Sequence, residues 1–383
     1  MQLSKSFAID KDEPWVARHN KEAAEVLDAY ERDKPVRVPL FPGGGIGFYM
    51  DENNLDCRVY YNNPDEMLRI QLEVAKRQRE LPWYDFVLGG APESWGVSVD
   101  FWPVVAPGAF GCELLCRPNA VIAHHSLALG IESCRVLPMP DVFTGGILAK
   151  SYEYYHYLKN TYEGKLDFLG APVGKTGHGV ATNGLFSLAL DLRGPEIMAD
   201  MYEEPEFAAS FFERLATWID GLEKAWDDMS GSPYARPVSP SDHGIDMLSA
   251  GMYEEFLVPI VKRHNAIRGT EAGTAFHHCG SGVHLFETVR KHFGITSIGA
   301  LTYPDVDIER VRGLMGDEVW LCCCINGGVL SFGTEQQIID AVKGVMKAKG
   351  RGRLSMMVGD LIWGTPAKNY EVLYEAVKAY GKY

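Results

Sequence analysis

Positive charge is scarce in this 383-residue chain. Lysine and arginine number 37 against 51 aspartates and glutamates, a formal net charge of -14. An acidic surface repels phosphate backbones, so nucleic acid is not expected as a partner. Long apolar runs are also missing. The longest, such as residues 319–325, fall far short of the ~20 residues that a spanning helix needs, so no membrane association is expected. The first residues lead into Asp10-Lys11-Asp12-Glu13 with no apolar signal region, and a cytoplasmic location is expected. In that setting the eight cysteines read as thiols or metal ligands and not as a disulfide framework. No internal repeat, low-complexity tract or long linker stands out. The run Gly43-Gly44-Gly45 lacks the following Gly-Lys-Ser/Thr of a phosphate loop and reads as a flexible turn.

What is present is an ordinary globular composition, 46% apolar and 23% charged, with ample material for a core. The C-terminal third alternates short apolar runs with longer amphipathic ones. Strands are expected over 274–279, 295–301, 319–325 and 353–358, and helices over 283–292, 307–314, 335–349 and 367–379. Strand then helix, repeated, means parallel strands with right-handed crossovers. Further helices are expected over 64–81, 205–229 and 251–267, the last starting near Ser249, and a strand over 85–88. Residues 89–137 are dense in glycine, proline and aromatics and read as loops and hairpins. These patterns fit a (β/α)8 TIM-type barrel, with a doubly wound sheet as the alternative. Residues 1–35 are expected as a helical extension and 36–383 as one barrel domain with a long insertion at about 89–150.

Chemistry in such folds sits at the C-terminal ends of the strands. One expected strand ends Phe276-His277-His278-Cys279-Gly280. Residues two apart share a side, so His277 and Cys279 face one way and His278 the other. An imidazole and a thiolate at a strand end suit zinc; a buried thiol beside capping groups is the bland reading. Another strand ends Cys322-Cys323-Cys324, where Cys322 and Cys324 share a face and core packing accounts for at least two of the three. Cys324, nearest the strand end, is the one placed to reach a barrel mouth. The last strand ends Val358-Gly359-Asp360, where Asp360 would serve as a zinc ligand, an acceptor for His277, or a helix cap.

At these residues the chain resembles the uroporphyrinogen decarboxylase superfamily, and within it the cobalamin-dependent methyltransferases. Residues 276–280 are similar to that branch's H-x-C-G zinc segment. Residues 242–259 resemble the acidic residue, Ser-Pro and tyrosine-to-proline helix of the superfamily, with Ser249-Ala250 standing where Ser-Pro is usual. Residues 323–334 and 359–381 resemble its glycine-asparagine strand end and closing segment, with Cys323-Cys324 replacing Gly-Asn. Residues 166–170, Arg193-Gly194 and Glu204-Pro205-Glu206 also fit. The likeness spans roughly 35 to 381. Two departures matter. The arginine-rich segment with which porphyrinogen decarboxylases grip substrate carboxylates corresponds to residues 38–51, which hold no arginine. A cysteine often follows the last strand's glycine in the methyltransferases, and here it is Asp360.

The resemblance implies zinc held by His277 and Cys279, with Asp360 or Cys324 as third ligand. It also implies a separate corrinoid (cobalamin-binding) protein as partner. This chain has no D-x-H-x-x-G segment for holding cobalamin itself. The expected reaction moves a methyl group between a small methylated compound, such as an aryl methyl ether, and that corrinoid. Asp242 and His178 are the candidate catalytic groups. Asp100, Trp95, Phe101 and Trp102, in an aromatic-rich stretch, are candidates for the substrate wall; capping and loop-core roles are the alternatives for each. The rival functions are a cofactor-independent decarboxylase of a small carboxylic acid and a non-catalytic ligand-binding barrel. The sequence leaves the oligomeric state open, a homodimer included.

Overall fold

A computed structural model of the chain describes residues 2–43, 46–116, 122–233, 240–268, 274–278, 280–350, 352–359 and 364–383. Its strands are β1 (Leu40–Phe41), β2 (Trp95–Ser98), β3 (Leu114–Leu115), β4 (Ala123–His124), β5 (Asp167–Phe168), β6 (Ala171–Gly177), β7 (Thr274–His277), β8 (Ile295–Tyr303), β9 (Trp320–Ile325) and β10 (Leu354–Met357). Five of them form one parallel sheet in the order β1-β10-β9-β8-β7. This order decides the architecture. A doubly wound sheet reverses its strand order at a switch point. Here the order runs without reversal from β7 to β10, and the first strand then pairs with the last, as closure into a barrel requires.

The crossovers are the helices Phe286–His292, Ile308–Met315 and Glu335–Met346, and Ala367–Tyr380 closes the chain. Local chemistry sets their starts. The Asp307 carboxylate accepts the Arg310 N–H at 3.1 Å. Thr334 and Gln337 exchange side-chain and backbone hydrogen bonds as a capping box. Upstream, the Ser249 hydroxyl accepts the Met252 N–H, and the helix it opens passes through one wider, π-type turn at Tyr253–Leu257 before Val258–Arg268. The long helix Pro205–Ser230 ends on left-handed Gly231.

The strand expected over 85–88 is not there. Asp85 instead lies against β1, its N–H on the Leu40 carbonyl (2.8 Å). Its carboxylate is fully buried. It accepts from Arg37 Nη1 (2.7 Å), the Leu40 N–H (2.8 Å) and the Tyr374 hydroxyl (3.1 Å). A side chain thus does the pairing that a strand ladder would do. Residues 89–137 resolve into β2, the short helices Val105–Ala109 and Ile131–Arg135, and the antiparallel pair β3–β4. β2 lies parallel to β6, and β5 turns back antiparallel onto β6. Residues 134–142 are held by the helix Pro205–Ser230. Arg214 reaches the carbonyls of Cys134, Arg135 and Leu137, Trp218 that of Pro140, and Trp226 that of Val142. The N-terminal helix Pro14–Glu31 buries Val16, Ala23, Val26 and Tyr30. Among the described residues no helix is long and apolar enough to cross a membrane.

Gly43, at the end of β1, is not a flexible turn. A Cβ there would lie 1.4 Å from the Val358 carbonyl oxygen, so only glycine lets these two strand ends meet.

Candidate active site

The parallel strands expose alternate residues to the barrel lumen. On β7, Ala275 and His277 are exposed while Phe276 and His278 are buried among helices. With Ser297 and Gly299 of β8, Trp320 and Cys322 of β9, Phe41 and Met357, they line a lumen cavity of about 410 Å³. Barrel interiors are usually filled by bulky branched side chains. Alanine, serine, glycine and cysteine leave this one open, with His277 on its wall.

Several groups converge on His277. Its N–H donates to the Ser241 hydroxyl at 2.7 Å. The exposed ring of His243 stands 5.5 Å from its ring, and Trp102, 48% exposed, stands 6.2 Å from His243. Beside it, β8 is irregular: the register slips between Ile298 and Leu301, and Ala300 takes a left-handed conformation, φ 62°. His278, on the other face, stacks flat on Phe276 and accepts the Gly282 N–H at 2.8 Å. Burial lowers its pKa to about 4, so it is a neutral packing residue. A Cβ on Gly282 would fall 2.5 Å from His278 Nε2, which is why the turn after the strand is glycine-rich.

Cys324 occupies the lumen-side face of β9, buried, its Sγ 3.3 Å from the Thr302 hydroxyl. Cys323 faces away, fully buried, with its thiol pKa pushed up by that burial. Cys279 and Asp360, the other two expected zinc ligands, lie outside the described residues. Among the described residues no three His, Cys, Asp or Glu side chains are grouped to hold a metal.

The remaining candidates divide. Asp242 is buried and works as a clamp. It accepts the N–H groups of Phe186, Ser187 and Gly244 and the Ser187 hydroxyl, holding the start of the helix Leu185–Arg193. Burial nonetheless pushes its pKa up to about 6. His178 follows β6 with both ring nitrogens engaged. Nδ1 accepts the Val180 N–H (3.0 Å), so the proton sits on Nε2, which donates to Asp227 (3.2 Å). That arrangement leaves it no free nitrogen for proton transfer. Asp100 accepts from the Tyr60 hydroxyl at 2.7 Å, and burial raises its pKa. Trp95 is a core residue, 1% exposed, its indole N–H on the Phe168 carbonyl. Phe101 is equally buried, against Tyr61 and Tyr154. Of the expected aromatic wall, Trp102 alone stands open beside His243. The sequence reading missed His243 and Ser241. The signal was available: both flank Asp242, which the resemblance had already marked.

The uroporphyrinogen decarboxylase family model matches residues 21–380. No curated protein sequence matches the chain. Among solved structures, a methyltransferase from Methanosarcina mazei is similar, with a TM-score of 0.60 at 16% identity over 93% of this chain and 98% of that one. At that identity the likeness speaks for the fold, and it agrees with the TIM-type barrel read from the strand order.

Proposed function

The chain belongs to the uroporphyrinogen decarboxylase family, and from that premise we propose that it is a zinc-dependent methyltransferase acting with a corrinoid protein. The methyl group passes between a small methylated compound, such as an aryl methyl ether, and the partner's cobalt. The observation that carries this reading is the placement of His277. It is an exposed imidazole at the C-terminal end of a lumen-lining strand, two residues before a cysteine, beside an open lumen. The lumen wall itself argues against a porphyrinogen. It offers Phe41, Pro42 and Met357 and, among the described residues, no lysine or arginine to meet substrate carboxylates.

The donor set suits zinc as far as it is described: a solvent-facing imidazole, and a lumen-side thiol on β9 with a hydroxyl beside it. His277 and Cys279 would hold the metal, with Asp360 or Cys324 completing the set. Zinc, when bound, supplies Lewis acidity toward the heteroatom that carries the methyl group. The chain's own residues do the positioning. Ser241 fixes the end of β7 through the His277 N–H. Asp242 ties the loop that carries Ser241 and His243 to the start of the helix Leu185–Arg193. Trp102 and His243 offer exposed ring faces above the lumen, onto which a flat substrate would stack.

The test is spectroscopic. Reduced corrinoid protein, this enzyme and a panel of methylated ethers, alcohols and amines should yield methyl-cobalt absorption with at least one donor. Silence across the panel, with zinc bound and an authentic corrinoid partner, would refute the assignment. Release of carbon dioxide from a small acid by the metal-free protein would favour a lyase.

A further inference from the structure

At the mouth of the lumen the exposed ring of His243 stands 5.5 Å from that of His277, the two planes inclined at 51°. We infer that His243 is itself a ligand of the metal at the end of β7, completing a set with His277 and Cys279 in place of Asp360 or Cys324. The inference rests on the zinc reading above and fixes its third donor.

The spacing of the rings is the first ground. Zinc takes imidazole nitrogens at about 2.0–2.1 Å in a tetrahedral set, which places the centroids of two ligating rings roughly 5 Å apart. His243 and His277 already stand close to that spacing, inclined and not stacked. The rival thiol is further off. Cys324 is on β9, two strand spacings or roughly 10 Å from β7. It also lies beyond the level of His277, since it pairs with Thr302 while His277 pairs with Gly299.

The second ground is the anchoring of the segment that carries His243. Its N–H donates to the Asn183 carbonyl at 3.1 Å. On one side, the Ser241 hydroxyl accepts the His277 N–H at 2.7 Å and so ties the segment directly to β7. On the other, the Gly244 N–H is held by the Asp242 carboxylate and the Ser187 hydroxyl, both at 3.0 Å. A solvent-facing histidine has no need of a backbone fixed on both sides; a metal ligand does, because outer hydrogen bonds set the direction of the donor. A ring nitrogen binds in the plane of the ring, so the face toward Trp102 stays available for stacking. Two neutral imidazoles and one thiolate leave the dication a net positive charge, which a second thiolate or a carboxylate would cancel. Such a zinc is the stronger Lewis acid toward an ether or amine heteroatom.

Zinc affinity, by competition with a chromophoric chelator, and X-ray absorption of the zinc-loaded full-length protein test the inference without methyl transfer. Removing a group that only orients a ligand costs roughly 10–100-fold in metal affinity, so His243→Ala should weaken zinc by more than about 100-fold. The thermal midpoint of the metal-free protein should not move, because the side chain is exposed. Cys324→Ala should bind zinc as the wild type does. The wild-type spectrum should count two imidazoles and one sulfur per zinc. Two results would overturn the proposal: a folded His243→Ala whose zinc affinity falls by less than about 100-fold, which would leave it a positioning residue at most, or a wild-type zinc with a single imidazole. The spectrum needs no variant, so it decides even where His243→Ala fails to fold. A wild type that takes up no zinc would sink the zinc reading as a whole, whereas zinc bound through one imidazole would sink the role of His243 alone.

Discussion

The two halves of this barrel are held in different ways. From β7 to β10, backbone ladders set the geometry. Strands of four to nine residues pair in parallel, and the side chains facing the lumen follow alternation except where β8 slips in register around Ala300. From β1 to β6 most strands are only two residues long, the parallel pair β2–β6 excepted, and side chains do much of the holding. Asp85 ties Arg37, Leu40 and Tyr374 together. Trp95, Trp218 and Trp226 each donate an indole N–H to a distant carbonyl. The candidate site straddles the seam: His277 comes from the ladder half, and Ser241, His243 and Trp102 reach it from loops of the other. A ladder spreads its energy over many equivalent bonds, so one substitution weakens it locally. A side-chain pin concentrates energy in one residue.

That contrast is most exposed at Asp85. Asp85→Ala leaves the buried Arg37 guanidinium with only the partly exposed Glu22 as counter-ion and removes the acceptor of the Tyr374 hydroxyl, and should cost about 3–5 kcal/mol. Leu321→Ala on β9 is the matched control. It removes a fully buried side chain at a cost of roughly 2–4 kcal/mol and leaves the β8–β10 amides protected. Urea denaturation gives both costs and hydrogen exchange reports the ladder. Should Asp85→Ala cost less than Leu321→Ala, the distinction between pins and ladders fails.

Trp226→Phe sharpens the same point at smaller scale. The ring stays, but the bond to the Val142 carbonyl (2.6 Å) is lost, for about 1 kcal/mol. Limited proteolysis should find faster cleavage around residues 134–146, which this helix holds. Unchanged cleavage would mean that Arg214 and Trp218 hold the segment without it.

The two modes also explain what could be read in advance. Most strand and helix bounds from 274 onward follow the hydrophobic pattern to within two or three residues, because ladders and amphipathic helices leave a period in sequence. The opposed faces of His277 and His278, and of Cys322 and Cys323, were legible for the same reason. A pin leaves no period. Nothing local marks Asp85 as a carboxylate that substitutes for a strand, or Trp95 and Phe101 as core where Trp102, their neighbour, is open. His178 looked like a base at a strand end; only the fold brings Asp227, forty-nine residues later, to its second nitrogen.

A pH-dependent effect concerns Asp242, on the seam itself. Its folded pKa, about 6, lies above the ~3.9 of an unfolded aspartate. A raised carboxyl pKa means that the folded state binds the proton more tightly. The stability this contributes is complete below about pH 4 and is lost as pH rises through 6, on the order of 3 kcal/mol. Asp242→Asn should flatten that slope between pH 4 and 6 in stability-versus-pH curves. An unaltered slope would place the titration elsewhere.

The central claim is that the end of β7 holds a catalytic metal. Zinc stoichiometry in purified wild type and in His277→Ala tests it most directly. One zinc per chain in the wild type, lost in His277→Ala at an unchanged thermal midpoint, is the predicted result. An active wild type free of metal, or a His277→Ala protein that keeps its full complement of zinc, would contradict it.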